Sequence, residues 1–368
     1  MPFATLRRSL KRPRTIVIAV AAGATLAGCQ PVYLSPTGND AGNCTRSQPC
    51  RTFARGAQAA QQQKRVLVHV GRGTYPPQTV PAGNRPLLFA GEPGAKVRTL
   101  DNAASGVTFS GLDVDAAFGK TLAFHNSGDN ATFKNGRIGN VTDEKGALVS
   151  GRNFKFDNVV FHDVRVTDPS VHNECLYAIV VPGMKLRNST FMRCATMDAF
   201  FTYGSWWNPL PPAYGDVTIE NNVFAHTLKD DGTWHYYSLY VGNVANNGGT
   251  FSGWTVRNNT FEIPANVTRT SATRSRWTGN VGSWNCVRGV SYTHNVGDKC
   301  GATDKLVQPS SSTATRPAAF GWVNPAAYDF RLSAGSPAIN AASPTDSVAV
   351  DRNAKARGAA PDAGALER

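Results

Sequence analysis

Val217-Thr218-Ile219-Glu220-Asn221-Asn222-Val223-Phe224 decides the reading of this chain. It runs apolar, polar, apolar, polar, then Asn, with another apolar residue three places after Asn221. The same order returns in Val107-Thr108-Phe109-Ser110-Gly111, Ala131-Thr132-Phe133-Lys134-Asn135, Phe154-Lys155-Phe156-Asp157-Asn158, Met184-Lys185-Leu186-Arg187-Asn188 and Trp254-Thr255-Val256-Arg257-Asn258. The trailing apolar residues are Val114, Ile138, Phe161, Phe191 and Phe261, and a weaker copy starts at Val290-Ser291-Tyr292. Alternation of this kind describes a β-strand with one buried face. The Asn marks a sharp bend, because Asn tolerates left-handed backbone and its amide can bond the same group one coil away. A motif that recurs in this way marks a solenoid, in which a single coil cannot bury its own core.

The bend positions 111, 135, 158, 188, 221 and 258 are separated by 24, 23, 30, 33 and 37 residues. That spread is too wide for a helical repeat. It suits a β-helix, in which strands stack about 4.8 Å apart and loops absorb insertions. Two consequences follow from stacking. The residues before the bend, Lys134, Asp157, Arg187, Glu220 and Arg257, alternate in charge and should form a ladder that helps set register. Phe161, Phe191, Phe224 and Phe261 should stack in the core.

Both open ends of a solenoid need covering. Arg51 to Gln63 reads as an amphipathic cap helix with Phe53, Ala57 and Ala60 on one face, just before the strand Val66 to Val70. Residues 302–368 lose the repeat, turn rich in Ala, Pro and Ser, and should pack as an irregular strap. The expected organisation is therefore a leader over residues 1–28, a capped β-helix over 29–301 and the strap over 302–368.

The leader begins with Arg7, Arg8, Lys11, Arg12 and Arg14, and continues with an apolar run from Thr15 to Leu26 that is short for a membrane span. Leu26-Ala27-Gly28-Cys29 resembles a bacterial lipobox, which implies lipidation at Cys29 and an extracytoplasmic protein tethered to the cell membrane or the outer membrane. Ordinary secretory cleavage nearby, with Cys29 free, is the alternative. Arg7-Arg8-Ser9-Leu10-Lys11 loosely resembles a twin-arginine signal. Six further cysteines agree with export, and proximity pairs Cys44 with Cys50, Cys175 with Cys194, and Cys286 with Cys300. No CxxC or paired Cys/His spacing supports a metal instead. Loss of residues 1–28 removes five basic residues and lowers the formal charge from +13 to +8. A basic exported chain favours acidic polysaccharide, anionic lipid or wall polymer. It lacks the dense Lys/Arg block of a nucleic-acid binder, and a monomer is expected.

With Tyr33-Leu34-Ser35-Pro36-Thr37-Gly38-Asn39-Asp40, the cap, Val70-Gly71-Arg72-Gly73-Thr74-Tyr75 and the Asn-centred repeats, the chain resembles the right-handed parallel β-helix proteins, a superfamily that includes polysaccharide lyases. Asp329-Phe330-Arg331-Leu332, Ser336-Pro337-Ala338-Ile339-Asn340 and Pro361-Asp362-Ala363-Gly364-Ala365-Leu366-Glu367 resemble a closing segment common in them. The likeness spans residues 33–367 and implies an all-β right-handed solenoid. It implies no named activity, since one fold hosts many functions. The Gly-His-Gly and Arg-Ile-Lys patterns of polygalacturonase-like members are absent, as is the Trp-Ile-Asp-His pattern of one pectate lyase branch.

Polar residues concentrate in one strip. His172-Asn173-Glu174 enters the strand from Cys175, Asp198 enters the strand from Ala199, and Lys229-Asp230-Asp231 with His235 precedes the strand from Tyr236. These strands should be stacked neighbours, with Trp206, Trp207 and Tyr214 on a flanking loop where aromatic faces would meet sugar rings, and Tyr236 beside them. For a lyase, His235 or Lys229 would take the proton beside a uronate carboxylate, with His172 a further catalytic candidate, and Asp230 and Asp231, with Asp198, would hold a calcium ion. For a hydrolase, Glu174 and Asp198 would flank the scissile bond. The plainer readings are that Glu174 and Asp198 bond turn amides, that the histidines serve the surface, that the tryptophans cover the coil, and that Lys229-Asp230-Asp231-Gly232 is a turn. The expected function is cleavage or recognition of a polysaccharide, a polyuronate lyase first. A non-enzymatic glycan-binding or structural envelope lipoprotein is the alternative.

Overall fold

The computed structural model describes residues 30–168, 170–171, 173–179, 181–202, 214–225, 237–242, 251–267, 272–307 and 316–368. Among these the chain winds as a parallel β-helix of right-handed type, with nearly all its regular structure in parallel strands. One wall is an eight-stranded sheet whose strands are Gln78–Val80, Leu100–Asn102, Phe124–Asn126, Ala147–Val149, Glu174–Ile179, Met197–Thr202, Tyr237–Val241 and Asn266–Val267. The other two walls join through the Asn bends into a 20-stranded sheet. The bend residues Asn135, Asn158, Asn188, Asn221 and Asn258 all have φ between 51° and 57°. Gly111 stands at the same position with φ 75°. That left-handed backbone is the reason Asn or Gly occupies these bends, while His294 takes the position in the weaker copy with φ 55°.

The stacked registers place the charge ladder as expected in its second half. Glu220, only 4% exposed, is clamped between Arg187 at 2.7 Å and Arg257 at 2.8 Å. Asp157 instead accepts a 2.7 Å hydrogen bond from the Asn188 amide. Inside, Phe161, Phe191, Phe224 and Phe261 stack with centroids 4.5, 4.8 and 5.0 Å apart and planes within 15°. A core this regular is held mainly by apolar burial, about 2 kcal/mol or more for each fully buried Phe.

A second ladder runs one residue beyond the bends. Asn222, Asn259, Asn280 and Asn295 are fully buried, and each side-chain oxygen accepts from the backbone N–H of the coil before it. Each of the first three amides also donates to the next Asn oxygen along. Asn295 donates in turn to Asp304, whose other oxygen accepts from the Cys300 and Gly301 amides. Buried polar groups that satisfy one another in this way stiffen the stack.

The cap helix spans Phe53–Gln62, with the Thr52 hydroxyl accepting from the Arg55 amide and Phe53, Ala57 and Ala60 buried. All three expected disulfides are formed, Cys44–Cys50, Cys175–Cys194 and Cys286–Cys300. Cys175 opens a coil and Cys194 ends it, so that bridge closes one complete turn of the solenoid. At the far end, residues 316–368 lie on the outside of the 20-stranded sheet. Phe320, Trp322 and Phe330 pack there with Val223, Val281 and Val296. Val348 and Ala365 also donate to the side chains of Asn258 and Thr260.

Candidate functional site

The eight-stranded sheet presents one outward column. Its registers align Thr79, Asp101, His125, Leu148, Tyr177, Phe200, Tyr240 and Asn266. Their neighbours on either side in each strand point inward and are buried, as alternation requires. The middle of this column is aromatic. Tyr177 meets Phe200 edge-on at 5.0 Å, Phe200 meets Tyr240 at 5.1 Å, and Tyr237 stacks on Tyr240 at 5.1 Å. The Lys145 ammonium stands 5.6 Å from the Tyr177 ring. Further back, His125 Nδ1 pairs with Asp101 at 2.8 Å. Gly242 runs beside the rings: a Cβ there would meet Tyr240 at 2.3 Å and Phe200 at 3.0 Å.

Glu174 and Asp198 sit at the entrance to this row on adjacent strands. Glu174 is level with Met197, and Asp198 is level with Cys175, so the two carboxylates are one register step apart. Both are fully buried. Burial drives the Asp198 pKa well above the usual carboxylate range. Burial also raises the Tyr177 phenol, and the charge of Glu174 adds to that rise. The turns that deliver these strands are tied together: the Asn173 amide donates to Thr196 Oγ1 at 3.1 Å, and the Thr196 amide to the Asn173 carbonyl at 3.2 Å.

The other sequence candidates fall elsewhere. His172, Trp206, Trp207, Lys229, Asp230, Asp231, His235, Tyr236 and Cys29 lie outside the described residues. Tyr214 forms a two-residue strand paired with Phe251–Ser252, and its side chain lies outside what is described. Among the described residues no cluster of three or more His, Cys, Asp or Glu is placed to hold a metal ion. Asp198 is the only residue of the expected calcium set within them, and it is fully buried. The aromatic row itself went unread in the sequence. Its signal was present, since each of the three strands expected to stack carries an aromatic residue at one outward position. Near the cap helix, a cleft of 490 Å³ is lined by Arg55, Gln58, Gln61, Pro81 and Asp40. The Asp40 carboxylate there already accepts from the Arg51 and Thr52 amides and the Thr52 hydroxyl, so it serves the cap.

The sequence matches no protein-family model and no curated protein. Among solved structures the chain is similar to pectate lyase Pel9A, with 16% identity, a TM-score of 0.50, and coverage of 93% of this chain and 98% of that one. It is also similar to a rhamnogalacturonan lyase, with 12% identity, a TM-score of 0.41, and coverage of 72% and 87%. A third is the catalytic unit of a thermostable GH87 α-1,3-glucanase from Streptomyces thermodiastaticus strain HF3-3, with 13% identity, a TM-score of 0.36, and coverage of 80% and 68%. The first likeness runs through nearly the whole length of both chains, and at that identity it is one of fold.

Proposed function

We propose that this protein binds and acts on a polysaccharide laid along the outer face of the eight-stranded sheet. The observation that carries the reading is the aromatic row of Tyr177, Phe200 and Tyr240. Tyr177 and Tyr240 are partly exposed and offer a sugar chain apolar contacts two coils apart, with Phe200, 9% exposed, packed between them. The backbone fold shared with a solved pectate lyase supports the same reading. Asp198, its pKa raised by burial, suits protonation of a leaving oxygen. The base and any calcium ion of a lyase would come from His172, Lys229, His235, Asp230 and Asp231.

The test uses the chain from residue 30 onward with acidic and neutral polysaccharides, with and without calcium. Unsaturated ends that vanish on calcium removal are the expected result of a metal-dependent lyase. Chain shortening without unsaturation would point to hydrolysis. Full burial of both Glu174 and Asp198 favours a second reading, binding without cleavage, which binding with no product in either assay would establish. No binding at all would sink the reading. We place the protein outside the cytoplasm, tethered through Cys29. Cys29→Ala should then move it from the membrane fraction to the soluble exported fraction and abolish labelling by a fatty acid.

A further inference from the structure

One corner of the solenoid departs from the repeat. In the coils through Asn140, Asp163 and Arg193, one left-handed residue stands at this corner, and Asp143 adds a second further along the first of them. One coil earlier, Asp115 pairs with Gly139 and Gly119 with Val141, so residues 116 to 118 stand opposite Asn140 alone. Ala117 and Phe118 both adopt left-handed backbone, with φ 54° and 59°. That conformation costs roughly 1–2 kcal/mol for each L-residue, so something must hold it. Asp115 does so: its carboxylate accepts from the Ala117 amide at 2.8 Å, from Asn140 at 2.9 Å and from Lys96 at 2.7 Å. The result is an exposed aromatic ring, with Phe118 38% accessible. Bulges of this kind re-aim side chains beside functional sites.

The guanidinium of exposed Arg165 lies 4.0 Å from the centre of the Phe118 ring. The corner is continuous with the aromatic row. Lys120 pairs with Asp143 at 2.7 Å, Asp143 is anchored by the Thr167 amide and hydroxyl, and Lys145 two residues on stands over Tyr177. The Phe118 coil enters the sheet at Phe124–Asn126, two coils before the Tyr177 strand, about 10 Å along the stack.

We propose that Phe118 and Arg165 form an accessory subsite for an acidic sugar unit of the polymer that lies on the aromatic row, an inference that rests on the polysaccharide reading. The open part of the Phe118 ring takes the apolar face of the sugar, and the Arg165 guanidinium beside it takes its carboxylate or sulfate. Only a chain long enough to reach both places uses the subsite. The experiment measures affinity of the chain from residue 30 onward for polygalacturonate, alginate, dextran sulfate and dextran, and for short oligogalacturonates. It compares the unmodified protein with Phe118→Gly and Arg165→Gln.

Glycine adopts left-handed backbone freely, so Phe118→Gly should fold with an unchanged or raised Tm. Each variant should bind long acidic polymers about tenfold more weakly. Binding of the short oligomers and of dextran should be unchanged. A preference for polygalacturonate and alginate over dextran sulfate would assign the carboxylate, and the reverse would assign the sulfate. Unchanged affinity for every long polymer in both folded variants would overturn the subsite, as would equal losses on dextran and on the acidic polymers. If the unmodified protein binds none of these polymers, the polysaccharide reading itself falls, an outcome distinct from a loss confined to the variants.

Discussion

At the scale of single residues, identical side chains do different work one position apart. Asn221 and Asn222 are adjacent, yet Asn221 turns the backbone with φ 57° while Asn222 sits inside and bonds its neighbours. Asp198 is the residue whose surroundings matter most for chemistry. Burial holds its folded pKa above its unfolded value. The native chain therefore keeps a proton that the unfolded chain has lost once pH exceeds the ordinary aspartate range. Asp198 lowers stability progressively as pH rises from that range through its folded pKa, and the loss is complete above it. Asp198→Asn removes this dependence. Urea midpoints from acid to alkaline pH should show the parent falling relative to the variant as pH rises. Parallel curves would mean that Asp198 is ionised in the native protein.

The element scale is that of the coil and the ladders that cross it. Asn259 accepts from the Asn222 amide and side chain, and donates to the carbonyls of Ile219 and Arg257 and to the Asn280 side chain. Asn259→Ala leaves several of these buried groups without a partner and should cost about 3 kcal/mol. Asn135 is a bend residue, exposed and with φ 54°. Asn135→Gly keeps the left-handed bend and should shift stability by less than about 1 kcal/mol. Equal losses in the two variants, read from chemical denaturation, would contradict the division of labour between the bends and the buried ladder.

Across the whole molecule, stability depends on covering what the solenoid leaves open. The cap helix closes the first coils. The strap bonds Asn221, Asn258 and Thr260 on the flank, and buries Arg357 with Glu367 at 3.0 Å. Chains ending at residue 307 would expose Val223, Val281 and Val296, which pack against the strap. Such chains should aggregate on concentration while the cap-end coils keep their β-sheet circular dichroism. A truncated chain that stayed monomeric with unchanged Tm would mean that the strap adds nothing to the fold.

The β-helix was legible because its determinants are local and repeated. Alternating apolar residues, a left-handed Asn or Gly at most bends, nearby cysteine pairs and stacked phenylalanines are all short-range signals, and stacking multiplies them. The candidate site was legible only in part. Its three strands and their order could be read, because the same repeats place them. Which side chains share a face could not, since a one-residue register step decides it. The aromatic row and the Phe118–Arg165 corner likewise join residues from different coils, and only the stacked structure, with its bulge opposite Asn140, brings them together.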